Sequence, residues 1–461
     1  MLREMSSWMR VYRALTATLA PLARRRLARQ GRALGTVAGR EAERKGDVPE
    51  AADELWLHCA SVGELNAAQA LIERLLDRTN RRLLVSTLTP TAAALATDRY
   101  GDHDRVRSVL APLDRPADVG RWLDRTRPER LVLIETELWP ELLTGCIRRA
   151  IPFAIANARI SDRAMGRYRR LRGLFAPLLA ACGPIACQAS ADAERFERLG
   201  APAGRIVVTG NIKFDPVAAA GLAPDLERTL APLAGRRMWL AGSTHAGEEA
   251  LVAEAHRRVL QRHPGALLVL VPRHPERAAE ARAAAERAGL TVTDLDRAAG
   301  KGQVLLVDRL GVLAGLYGAG DVNFVGGSLV EGIGGHNLIE AARAGRPVLT
   351  GPSTDDQAEA AGGLEGAGGL IRVQAPADLA ESVSDLLDDP DRRARITQRA
   401  EAFLATQRGA LDRTVAVLEG WMKDGEAPPE FHPGFEPGIK AESEREQGPG
   451  PGSGPGKGRG S

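Results

Sequence analysis

Short apolar runs alternate with helical patterns along most of this chain, and the runs are continuous rather than alternating apolar with polar. Strands buried on both faces read this way, and that points to parallel sheets covered by helices on either side. Seven runs precede residue 210: Leu55–Ala60, Leu83–Thr87, Val106–Leu110, Arg130–Ile134, Phe153–Ala156, Ile185–Gln188 and Arg205–Thr209. Residues 51–215 therefore read as one doubly wound α/β domain. Residues 216–235 carry Pro216, Pro224 and Pro232 and read as a connection between domains. The rhythm then restarts at Met238–Ala241, Ala266–Val271, Val304–Val307, Val322–Val325, Val348–Thr350 and Leu370–Val373. Residues 236–422 form the second domain on this reading. Two Rossmann-like domains facing each other would place their ligands in the cleft, at the carboxyl ends of the strands.

The stretch from Asn323 to Pro352 is the richest in chemistry. An apolar run ends in a loop holding Gly326, Gly327, Gly332, Gly334 and Gly335, and a helical pattern follows from about His336 to Ala344. Glycines let a backbone approach a ligand closely, and a helix N-terminus offers unpaired N–H groups. The segment is expected to hold an anion such as a nucleotide phosphate, with Glu340 in reach of a neighbouring sugar hydroxyl. No Gly-Lys-Ser/Thr follows, so it is not a Walker loop, and Asn337 stands where the third glycine of a dinucleotide fingerprint would be. A glycine turn serving only tight strand–helix packing remains the alternative.

Composition narrows the field. A net charge of +3 carries no global polyanion signature, and no nucleic-acid partner is expected. The four cysteines show no CxxC spacing and read as buried free thiols in a reducing compartment. No pair among the eight histidines has zinc-ligand spacing, so no metal is expected. Residues 1–50 combine Trp8, Tyr12, an apolar stretch broken by Arg13, and a crowd of arginines from Arg24 to Arg44. No apolar run reaches the roughly 18 to 20 residues needed to span a bilayer. The segment reads as an amphipathic element on an anionic cytoplasmic leaflet, with Trp8 and Tyr12 at the interface. A merely solvated basic helix is the plainer alternative. Residues 423–461 are dominated by proline, glycine and charge, and read as a disordered tail.

Polar residues recur where the strands end. Glu64 opens a helix after the first strand, where a helix N-terminus stabilises a carboxylate; an acidic first-turn residue is also common for capping alone. Glu135 and Glu137 follow the fourth strand, two residues apart on an extended segment and so on one side. Trp139 and Pro140 start the next helix. Arg159 follows the fifth strand, where it could meet an acidic sugar, and Lys213 stands at the hinge. Gly242-Ser243-Thr244-His245 and Arg273-His274 end strands of the second half, where an arginine suits a phosphate.

These motifs together resemble the 3-deoxy-D-manno-octulosonic acid (Kdo) transferases of Gram-negative bacteria. The resemblance covers roughly residues 30 to 420. It rests on HCASVGE (58–64), STLTPT (86–91), ETELWP (135–140), NARISDR (157–163), TGNIKFD (209–215), AGSTHAGEE (241–249), VPRHPER (271–277) and the glycine segment at 324–352. It implies a GT-B inverting glycosyltransferase at the cytoplasmic face of the inner membrane, moving Kdo from CMP-Kdo onto the lipid A precursor without metal or other cofactor. By this resemblance Glu64 is the general base, and Glu135 and Lys213 support the transition state. Arg273, His274, Leu310, Gly311, Val312, Asn337, Leu338, Ile339 and Glu340 stand at nucleotide-contacting positions. Val312 replaces a glutamate frequent in the family, and Leu338 a frequent proline. Another enzyme of the same architecture, such as an epimerase or a UDP-sugar transferase, is the first competing reading. A non-catalytic membrane-surface scaffold is the second.

Overall fold

The computed structural model describes residues 2–33, 39–215, 222–233, 235–295, 302–309, 311–374 and 376–424. The strands fall into two separate all-parallel sheets. The first holds β1 (Leu55–His58), β2 (Leu83–Thr87), β3 (Val106–Leu110), β4 (Arg130–Ile134), β5 (Phe153–Ala158), β6 (Ile185–Cys187) and β7 (Ile206–Val208), in spatial order β3-β2-β1-β4-β5-β6-β7. The second holds β8 (Met238–Thr244), β9 (Leu267–Pro272), β10 (Val292–Asp294), β11 (Val304–Leu306), β12 (Val322–Val325), β13 (Val348–Thr350) and β14 (Leu370–Arg372), in order β10-β11-β9-β8-β12-β13-β14. The α/β class and the two doubly wound sheets agree with the sequence reading. The sequence reading missed β10, a short edge strand whose Val-Thr-Asp has little to bury.

Each sheet separates two cores, as alternation along a strand requires. Trp56, Leu84, Leu131 and Leu133 enter one core of the first sheet, while Leu55, Leu57, Val85 and Val132 enter the other. The strand order reverses between β1 and β4 in the first sheet, and between β8 and β12 in the second. At these points crossovers leave to opposite faces and a crevice opens at the carboxyl ends.

The domain boundary needs correcting at its far end. The helix Ala410–Asp424, expected to close the second domain, packs instead on the first sheet. Leu411, Val415, Leu418, Trp421 and Met422 join the core that holds Leu55 and Leu57. Burying side chains of this size contributes roughly 1.5–3 kcal/mol each. Asp215 ties the return crossing: its carboxylate accepts from the Gly409 N–H at 2.6 Å and from the Leu411 N–H.

The N-terminal helix Leu2–Ala33 lies against the first domain with Met9 buried. Tyr12 is turned inward rather than toward an interface, because its hydroxyl donates to the half-buried Asp114 carboxylate at 2.7 Å. Arg13 pairs with Glu141 at 2.5 Å. No helix among the described residues is long and apolar enough to cross a membrane. The tail expected over 423–461 lies outside the described residues beyond Asp424, as do residues 216–221 and 234 of the expected connection, whose described part includes the short helix Pro224–Leu230.

Candidate active site

Ser61-Val-Gly-Glu64 forms a capping box at the start of the helix Val62–Arg78. The Ser61 hydroxyl oxygen accepts from the Glu64 N–H at 3.3 Å, and the Glu64 carboxylate accepts from the Ala60 N–H at 2.7 Å and the Ser61 hydroxyl at 2.9 Å. Such bonds favour the ionised carboxylate. Burial opposes them, and so do Glu137 and then Glu135. The outcome is a Glu64 pKa pushed up to about 8. Glu64, Glu135 and Glu137 all raise the pKa of Cys59, which burial already holds well above its ordinary value, so the three carboxylates converge on one point at the switch of the first sheet.

Glu135 does not continue β4 as an extended residue. Its φ is +62°, a left-handed conformation costly for a residue with a side chain. It meets the Lys213 ammonium at 2.6 Å. Lys213 sits in a tight turn, Ile212–Phe214, capped by Asn211, whose side chain accepts from the Lys213 N–H. Glu137 faces His58 and accepts from the Trp139 indole N–H. The two glutamates expected on one side therefore take different partners. Asn157 and Ser243 are also left-handed, with φ of 54° and 56°, so non-glycine strain gathers where β4, β5 and β8 end. Arg159 is half-buried, and its guanidinium makes no hydrogen bond or ion pair among the described residues.

The glycine loop does something the sequence did not foretell. Its N–H groups turn inward onto Glu248, a fully buried carboxylate that opens the helix Glu248–Arg262. Glu248 accepts from Gly327 at 2.6 Å, Ser328 at 2.9 Å, Leu329 at 2.8 Å and His245 at 3.0 Å. The anion these amides hold is part of the chain. The following helix starts at Leu338, not His336, and Asn337 caps it by accepting from the Ile339 and Glu340 N–H groups. Leu338 and Ile339 point into the core. The phosphate cradle expected from glycines and helix end is thus largely satisfied from within.

An unpaired cation lies beside the loop. Arg273 follows β9, is half-buried, and has no acidic partner among the described residues. Its charge lowers the pKa of His245 and of His336. His274 is exposed and meets the His245 ring edge-on. Gly311 has φ +77° and precedes Val312, which caps a short helix; Leu310 lies outside the described residues. Glu340 is half-buried with its pKa raised by burial. Arg343, one turn on, donates to the carbonyls of Lys213 at 3.1 Å and Asp215 at 2.6 Å, and Asn211 donates to Glu359 at 2.7 Å. These bonds bring the Lys213–Glu135 pair and the Asn337–Glu340 segment to the same crossing between the domains. His245 was expected, with Gly242, Ser243 and Thr244, to donate hydrogen bonds to a phosphate; His336 and Glu248 were absent from the candidate residues, since nothing in their spacing distinguishes them.

Comparison with known proteins decides the family. The chain is 34% identical over 376 residues to a 3-deoxy-D-manno-octulosonic acid transferase of Haemophilus influenzae, covering 80% of this chain and 87% of the relative. A Bordetella pertussis protein of the same name is 35% identical over 381 residues, covering 80% and 87%. This chain belongs to the Kdo transferase family. Residues 32–216 match the family model described as 3-deoxy-D-manno-octulosonic-acid transferase. Among solved structures, the UDP-GlcNAc 2-epimerase of Neisseria meningitidis superposes with a TM-score of 0.56 at 12% identity, covering 80% of this chain and 100% of the epimerase. That likeness establishes the GT-B fold alone. A Kdo transferase and an epimerase can share such a frame because chemistry resides in the strand-end residues. Among the described residues of this Kdo transferase, no group of three His, Cys, Asp or Glu side chains could hold a metal ion.

Proposed function

We propose that this Kdo transferase moves Kdo from CMP-Kdo onto a tetraacyl lipid A precursor with inversion at the anomeric carbon, and that Glu64 is the general base. The observation carrying the proposal is the Glu64 carboxylate itself: fixed by two hydrogen bonds, half-buried, and poised at about 8. An acceptor hydroxyl must shed its proton as it attacks, and a positioned base of near-neutral pKa suits that step. Lys213, held by Glu135, is a cation at the same crossing, suited to charge that develops as the donor bond breaks. Arg273 is suited to the departing nucleotide phosphate, and Arg159 to the carboxylate of the sugar. The reaction on this reading requires no metal, and saturating EDTA is expected to leave the rate unchanged.

The N-terminal helix supplies a bilayer contact. Trp8, Val11, Leu15, Leu19 and Leu22 recur at spacings of three and four, and all are exposed, Leu22 at 63%. Exposed Arg25, Arg26 and Arg29 continue the stripe. Apolar residues followed by arginines suit a helix lying in the headgroup region of an anionic cytoplasmic leaflet. The deciding experiment incubates the purified protein with CMP-Kdo and tetraacyl lipid A precursor and weighs the products. A mass gain of whole Kdo units is expected. No gain, or an equal gain from a UDP-sugar, would overturn the reading.

A further inference from the structure

One cluster near the end of β8 has no part in the chemistry described so far. His245 follows β8, and His336 ends the glycine loop after β12. Their rings are 11° from parallel with centroids 4.9 Å apart, and their Nε2 atoms are 2.7 Å apart. His274, after β9, meets His245 edge-on at 5.7 Å.

That Nε2–Nε2 distance fixes the protons. A hydrogen bond needs one N–H and one lone pair. One ring carries its proton on Nε2 and the other on Nδ1, so the two neutral rings are in opposite tautomers. One added proton fits on the free Nδ1 of the donating ring and leaves the bond between the rings intact; only protonation of both rings would put two N–H groups face to face. The surroundings keep the pair neutral in the free protein. Burial lowers both groups first, His336 to about 4. His274, Arg273 and Arg277 lower His245 further, and Arg273 and His274 lower His336. Glu248 pulls His245 the other way, but its oxygens already serve four amides. On the loop side, Asp356 packs against Gly334 and donates its own N–H to the Gly334 carbonyl at 3.0 Å.

The pair therefore sits beside an unpaired arginine, with its nearest carboxylate occupied. An anion placed against Arg273 would reverse that balance. It would cancel Arg273's share of the depression, and it would accept from an imidazole N–H. We propose that His245 and His336 act as one proton-accepting pair for the phosphate of a bound cytidine nucleotide, drawing a proton from solvent as the phosphate arrives. The proposal rests on the donor reading above and adds a role for two residues outside it. Its chemistry suits the reaction. The donor holds its phosphate as a diester and the product as a monoester, which carries more negative charge, so the pair's proton offsets charge that appears on transfer.

Calorimetric titration of the full-length protein with CMP, in two buffers of different ionisation enthalpy near about pH 7, counts the protons taken up. Wild type is expected to take up more than His336→Asn or His245→Gln, by an amount up to about one proton. Its affinity should also fall more steeply with rising pH than theirs, by as much as about tenfold per pH unit. Equal uptake in wild type and both variants would overturn the pair while leaving the donor reading intact. No CMP binding by wild type would overturn the donor reading and the pair together. Should neither variant fold, nitrogen-15 histidine spectra of wild type decide. Opposite tautomers in the free protein, with one ring becoming protonated on CMP addition, are expected. Two rings unchanged by CMP would sink the proposal.

Discussion

A carboxylate that caps its own helix receives hydrogen bonds that favour ionisation, and most such residues are unremarkable surface acids. Glu64 differs because burial and two neighbouring glutamates outweigh those bonds. As a base it must be ionised, so the transfer rate should rise with pH and level off above about 8. Glu137→Gln removes the larger of the two glutamate contributions, so it should move that limb to lower pH in a pH–rate profile. Glu64→Gln should lower transfer by roughly 10²–10⁴-fold with CMP affinity retained; normal turnover would remove Glu64 as base. The same residue has a cost in stability. Between its ordinary 4.5 and the folded value of about 8, the folded chain holds a proton that the unfolded chain has lost. Stability from this group is therefore complete below 4.5 and falls as pH rises through the window. Thermal melts should show Glu64→Gln gaining on wild type by roughly 2–4 °C at high pH and by nothing near pH 4. Lys213→Met leaves Glu135 without its cation and should lower kcat by about 10²-fold with little change in donor KM.

Elements were far more legible in the sequence than their hydrogen bonds. Runs such as Leu83–Thr87 and Val322–Val325 coincide with the fully buried β2 and β12, because a strand buried on both faces must be largely apolar. The end of each run then locates the carboxyl edge, which is why Glu64, Lys213 and Arg273 could be singled out. The glycine loop shows where this stops. Its composition announces free amides, but their acceptor, Glu248, lies 79 to 81 residues away in sequence and looks like any acidic first-turn residue. Asn337 is similar: its side chain moved the helix start from His336 to Leu338, a local competition that apolar periodicity does not register. Glu248→Ala should strand three loop amides and the His245 N–H in a buried place. We expect about 3 kcal/mol or more of lost stability, and faster amide hydrogen exchange at Gly327, Ser328 and Leu329 than elsewhere in the second sheet. Unchanged exchange there would show that the loop holds itself.

At the scale of the whole molecule, the exposed apolar stripe on the N-terminal helix runs beside the inward-bonded Tyr12, with Arg13 and its bond to Glu141 on the far face of the same element. Replacing Leu15, Leu19 and Leu22 together by Asp should weaken sedimentation with anionic vesicles at least about tenfold. The melting temperature should hold, since these side chains are 56%, 58% and 63% exposed. Loss of fold instead would mean that the stripe packs within the protein. The path of the chain matters as much as its surface. It leaves the first domain after Asp215 and re-enters at Gly409, and the Asp215 carboxylate binds both the returning Gly409 and Leu411. Topologically, the second domain is a cassette inserted into the first. No single cut liberates either one, and a chain truncated before Ala410 would uncover the helix Val62–Arg78 and β5, on which the last helix packs. Two cuts made side by side at that junction would release the cassette whole, so on the proposed function the second domain's binding site is a unit this architecture can exchange between relatives as a block, leaving the first domain and its N-terminal helix untouched.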